Sequence, residues 1–182
     1  KDADAVRNVE SILQNCLVYP AVVVVSAMGK TTNKLEQVFS TLVSDGFDKA
    51  LEELNEIVVA HQQVIDALSI ELDLHELFIT ALKKANHLDD LDAAYDELVA
   101  SGEDASTKIL FAYLYSNSWD VEWKDVRGII ETDERHNSAR VDESRLDEMG
   151  LNLRGLLSES SRRIVVTQGF IGKSPSGRTT TL

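Results

Sequence analysis

Four valines in a row after Ala21 give the segment Ala21 to Phe39, AVVVVSAMGKTTNKLEQVF, one reading: a buried strand, a tight polar turn and a helix. β-branched side chains are stiff at χ1 and suit a pleated surface, and a strand that is apolar at every position has both faces covered. The Gly29-Lys30-Thr31 of the turn invites a phosphate-binding reading. A P-loop, Gly-x-x-x-x-Gly-Lys-Ser/Thr, with Gly29 as its second glycine would need its first at position 24, which is Val24. Without that glycine the backbone does not form the wide loop whose N–H groups wrap phosphates, so the turn serves another purpose.

The rest of the chain alternates in period. Val6, Val9, Ile12 and Leu13 recur at helical spacing within Asp4 to Asn15, and Leu17 to Pro20 break the pattern before the strand. From Leu35 to Ser116 the helical signal is nearly continuous, with one stripe through Leu51, Leu54, Val58, Ile65 and Leu68 and another through Leu74, Leu77, Phe78, Leu82 and Ala85. Beyond Trp119 the alternation of Val126, Gly128 and Ile130 predicts a short strand ending at Thr132-Asp133, with a further extended piece near Ser138 to Val141. Ser144 to Ser158 reads as helix, and Arg163 to Gln168, RIVVTQ, as a β-branched strand entering the turn GFIGKSPSGRT. Strands separated by helices predict an α/β sheet carrying a long helical elaboration. In such sheets ligands gather at the carboxyl ends of strands, which singles out Ser26 to Asn33 and Gly169 to Thr180, each read either as an anion site or as ordinary turn and N-cap chemistry.

Charge narrows the partners. With 31 acidic and 18 basic side chains the formal net charge is -13, so a nucleic-acid backbone meets repulsion, and a small anion needs a locally positive pocket. Lys30 and Arg178 are the candidates for that pocket. No apolar run approaches the roughly 20 residues that cross a bilayer, so no membrane partner is expected. A single cysteine, Cys16, excludes an intramolecular disulfide and predicts a buried thiol in a reducing, cytoplasmic setting. His61 lies among aliphatics as a structural histidine, and His75-Glu76 is no zinc helix because Ile79 stands where His-Glu-x-x-His needs its second ligand. No metal site is predicted.

The segments VVVVSAMGKTTNKL, LVASGEDASTKIL, DVRGIIETD and VVTQGFIGKSPSGRTTTL occur in the order, and at about the separations, found in aspartate kinases of the amino acid kinase family. The chain resembles the monofunctional, lysine-sensitive type most. The resemblance covers nearly the whole chain, with the helical block of about residues 42–100 contributing least. It implies the N-terminal portion of an amino acid kinase (carbamate kinase-like) three-layer α/β/α sandwich spanning residues 1–182, with that block as a largely helical insertion. It implies a parent enzyme that transfers the γ-phosphoryl group of MgATP to the side-chain carboxylate of L-aspartate, giving 4-phospho-L-aspartate for lysine, threonine and methionine biosynthesis.

By the same resemblance Thr32 and Ser26 belong to the amino-acid pocket, and Glu103 holds the substrate ammonium, although it also suits a helix N-terminus capped by Ser101. Where the family usually carries two apolar residues after this Gly-Glu, Asp104-Ala105 follow, so a second carboxylate is expected beside Glu103. The family's opening Lys-Phe-Gly-Gly-Thr-Ser, whose lysine neutralises the transferring phosphoryl group, would precede the chain, and Lys1 is not that lysine. Its Gly-Arg-Gly-Gly-Ser-Asp, the nucleotide-binding half and the ACT regulatory domains that bind lysine and support homo-oligomer contacts would follow. No catalytic, nucleotide or metal residue is therefore assigned within the chain, and the piece alone is expected to be inactive. The competing expectation from composition is a non-catalytic acidic helical module on a kinase-like scaffold.

Overall fold

The computed structural model describes residues 2–16, 18–158 and 164–182. Helix α1 (Ala3–Cys16) leads into β1 (Ala21–Val25), and four helices follow: α2 (Thr31–Ser44), α3 (Phe47–Leu68), α4 (His75–Asn86) and α5 (Leu91–Ser116). Then come β2 (Val121–Trp123), α6 (Leu146–Leu157), β3 (Ile164–Gln168) and a hairpin of β4 (Ile171–Lys173) and β5 (Thr179–Thr181). The helical block read from the sequence is α2 to α5. Its stripes face inward, with Leu54, Ile65, Phe78 and Leu82 all buried.

The main sheet is parallel, in the order β1-β3-β2. β3 lies in the middle and is buried at all of its positions, with α5 and α6 both packed on it. That explains IVV in its sequence, since a central strand covered on both faces has no polar face to show. α5 is the axle of the molecule, touching α2, α3, α4, the sheet and β5. Asp90 starts it by accepting hydrogen bonds from the backbone N–H groups of Asp92 and Ala93. Its middle is buried all round and built from small residues, and a Cβ on Gly102 would stand 3.1 Å from both Leu35 Cδ1 and Thr31 Cγ2. Glycine is what lets α5 press against the turn after β1.

Three expectations are corrected. The strand predicted from Val126 to Thr132-Asp133 begins instead as a 3-10 turn, Val126–Gly128, in which the Asp125 carboxylate accepts from Arg127 N and Gln168 Oε1 accepts from Val126 N. Only single bridges follow, Glu131 to Lys173 and Thr132 to Val141, the latter ending the extended piece expected near Ser138. The neighbouring strand comes earlier, at Val121–Trp123, beside Ile164 to Val166. Second, GFIGKSPSGRT is an antiparallel hairpin with Lys173 opposite Thr179, closed by Ser174 N to Arg178 O and Gly177 N to Ser174 O. Third, α2 has Lys30 at its N-cap with no side-chain cap, so neither Thr nor Asn plays that part. The side chain of Cys16, and Leu17 and Arg163, lie outside the described residues.

Candidate functional site

The parallel pairing of β1 with β3 sets Val25 opposite Gln168, so the two strand ends singled out in the sequence lie side by side. Gly169 N donates to Val25 O at 3.1 Å, and a Cβ on Gly169 would come 3.2 Å from Val24 Cγ1 and 3.4 Å from Ser26 Oγ. Glycine there keeps the ends of the strands close. α5 closes the third side, where Ser106 Oγ donates to Ser26 O at 2.9 Å.

One turn earlier on α5 sits Glu103, only 2% exposed. Burial is the largest influence on its carboxyl and pushes it up to about 7; a hydrogen bond from the Ala27 backbone opposes this and the Asp104 charge adds to it. Its Oε2 has no hydrogen-bond partner among the described residues. A buried carboxylate with a spare oxygen, reaching the turn just past Ser26, is arranged to receive a cationic donor such as an ammonium.

Ser26 is exposed at the strand end, and Thr32 is half-buried in the first turn of α2, its hydroxyl without a hydrogen bond among the described residues. Thr31 next to it is structural: buried, its hydroxyl donates to Met28 O at 2.7 Å. The structure thus brings Ser26 and Glu103 to one turn and leaves the Thr32 hydroxyl available on the same turn. Arg178 does not join them, standing half-exposed beside the hairpin at 3.7 Å from Asp90.

Asp104 is not a loose second carboxylate. Arg127 Nη2 donates to both its oxygens, at 2.8 and 2.9 Å, and Gln168 Nε2 donates to Oδ1 at 2.6 Å. Burial raises the Asp104 carboxyl, and the Arg127 charge opposes the rise. Arg127 also holds Asp125 through Nε at 2.8 Å. The segments DVRG and VVTQGF by themselves give Arg127 and Gln168 no role; the polar residue at Asp104 is the signal that a buried cation lies nearby.

No group of three histidine, cysteine or carboxylate side chains among the described residues is placed to hold a metal ion. The turn after β1 keeps Val24 where a phosphate loop needs glycine.

A parallel α/β sheet with its polar site at the strand ends, a buried acid on the helix behind them and a helical elaboration define a small-molecule-binding domain of the kinase type. The chain belongs to the amino acid kinase family, whose family model matches residues 1–181. It is 32% identical over 186 residues to the lysine-sensitive aspartokinase 3 of Escherichia coli, covering 100% of this chain and 40% of that protein. An aspartokinase of Chlamydia muridarum is 32% identical over 168 residues, covering 90% of this chain and 36% of its own. Among solved structures, E. coli aspartokinase III in complex with aspartate and ADP matches with a TM-score of 0.83 at 30% identity, over 100% of this chain and 40% of that one. The chain thus spans about two fifths of the length of these relatives. Among the described residues no helix is long and apolar enough to cross a membrane.

Proposed function

We propose that residues 1–182 are the aspartate-binding, N-terminal part of an aspartate kinase, with about residues 42–100 as a helical elaboration of its kinase domain. In the whole protein the γ-phosphoryl group of MgATP passes to the side-chain carboxylate of L-aspartate. Glu103 receives the substrate ammonium, and Thr32 and Ser26 contact the amino acid at the end of β1. ATP and Mg2+ are held by residues outside this chain, regulatory domains support a homo-oligomer, and the setting is cytoplasmic.

The observation that carries this reading is Glu103, a buried carboxylate with an unpartnered oxygen at the strand end. The related aspartokinase III structure with aspartate bound supports the choice of amino acid. Phosphoryl transfer depends on positioning and charge neutralisation, and this chain's residues supply the positioning of the acceptor.

Glu103→Gln in the full-length protein tests the reading, because it keeps size and removes charge. An ion pair at about 4 Å with an effective dielectric near 20 gains on the order of 4 kcal/mol before desolvation. The variant should lose at least roughly a hundredfold in kcat/KM for aspartate, about 2.7 kcal/mol, with ATP binding nearly unchanged. Unchanged aspartate kinetics would remove Glu103 from the site.

A further inference from the structure

Behind the turn after β1, on the side facing α3, lies a cavity of about 170 Å³ lined by Gly29, Lys30, Thr31, Lys34 and His61 among others. His61 is 3% exposed, and its Nδ1 lies 2.8 Å from Ile57 O on its own helix. A carbonyl oxygen only accepts, so Nδ1 carries the proton. Burial first, and the Lys34 charge after it, push the imidazole pKa down against the opposing pull of the Ile57 carbonyl, which keeps the ring neutral. Its Nε2 is then a bare acceptor, and it has no partner among the described residues.

The other walls are of the opposite kind. Lys30 and Lys34 are exposed and have no carboxylate partner among the described residues. They stand at the start of α2, where the first backbone N–H groups favour negative charge. The cavity therefore offers cations and a helix start on one side and a neutral acceptor on the other. A fully deprotonated anion would satisfy the first and be repelled by the lone pair of the second. The cavity is roomy enough to take one tetrahedral oxyanion.

The geometry points to a binding site for a protonated phosphate group, its P–O⁻ oxygens on Lys30 and Lys34 and its P–OH donating to His61 Nε2. Free phosphate and a phosphate monoester share this chemistry. The cavity is lined by Met28 to Thr31, which link Ser26 to Thr32, so an occupant bears on the position of that segment.

Sulfate makes the test specific, because it matches phosphate in size and salting behaviour yet carries no O–H at neutral pH. Thermal unfolding of the full-length protein is followed in inorganic phosphate and in sulfate at equal ionic strength. Phosphate should raise Tm saturably beyond sulfate, since a ligand that prefers the native state stabilises it. His61→Phe should abolish the excess. The double variant Lys30→Met with Lys34→Met, exposed and safe for folding, should weaken the apparent phosphate affinity by roughly tenfold or more. It also keeps the test available if His61→Phe does not fold. Glycerol phosphate as a third arm separates the sources: tighter binding than inorganic phosphate marks an ester, equal or weaker binding the free ion, and both must be lost in His61→Phe and weakened in the lysine double variant. Equal shifts in phosphate and sulfate, an excess that survives His61→Phe, or an unchanged affinity in the lysine double variant would overturn the site.

Discussion

Glu103 carries two opposite demands, and pH separates them. Its folded pKa is raised from 4.5 to about 7, so folding favours the protonated acid. The stability tied to it is complete below about pH 4.5 and is lost as pH rises through 7, because above that point the buried group must ionise. Glu103→Gln never ionises. Its melting temperature should match that of the natural protein near pH 4.5 and exceed it at pH 8, a trend that a pH series of thermal scans checks. An unchanged difference across that range would mean that the carboxylate is already compensated. Thr31 and Thr32 form a second contrast. Thr31 is buried and bonded to Met28 O, so Thr31→Ala should lower stability by about 1 kcal/mol or more in urea unfolding. Thr32→Ala should leave stability alone and lower kcat/KM for aspartate by roughly tenfold to a hundredfold in the full-length protein, the worth of a hydrogen bond to a charged group. A fall in Tm with normal kinetics would make Thr32 structural instead.

At the scale of elements, α5 organises the site because it is tied on several sides. Asp96, fully buried on it, accepts hydrogen bonds from Asn137 N at 3.1 Å, Thr181 Oγ1 at 2.5 Å and His136 Nδ1 at 2.8 Å, which fastens β5 and the segment before α6. Gly102 lets the helix close on α2, and Asp104 with Arg127 ties it to the 3-10 turn. Removing one partner of a buried pair strands the other charge, so Arg127→Met should cost roughly 3–5 kcal/mol. Adding Asp104→Leu removes the stranded carboxylate and should recover most of that loss. Urea unfolding of the two single variants and the double completes a cycle, and simple additivity would show that the two residues do not act as a pair.

Across the whole molecule the acid excess and the site are separate matters. The chain carries a net charge of -13, while the start of α2 presents Lys30 and Lys34 with no carboxylate partner among the described residues. The chain has a buried acid at Glu103, and Val24 stands where a phosphate loop needs glycine. Phosphoryl transfer needs the charge of the moving group neutralised, so residues 1–182 on their own should give no aspartyl phosphate above background with MgATP and aspartate in a hydroxamate assay. Robust turnover would place a nucleotide site within the chain.

Local chemistry made much of this legible in advance. AVVVV and the polar turn fix β1 and the start of α2, and the leucine stripes fix α3 and α4, because strand and helix periods are properties of neighbours in sequence; Glu103 is singled out only by the resemblance of GEDAST to a family motif. Alternation misled over Val126 to Gly128, where a distant Gln168 side chain and the Asp125 cap hold a 3-10 turn. The three residues of β2 became a strand only because β3 had a free edge there. The glycines after β3 read as a turn, either an anion site or ordinary turn chemistry, and only the pairing of Lys173 with Thr179 shows that the chain reverses there into a hairpin. The partner of Asp104 and the bare nitrogen of His61 were equally out of reach. Which distant group meets a buried charge, or fails to, depends on how helices pack, and packing is settled by shape across the whole core rather than by any local pattern.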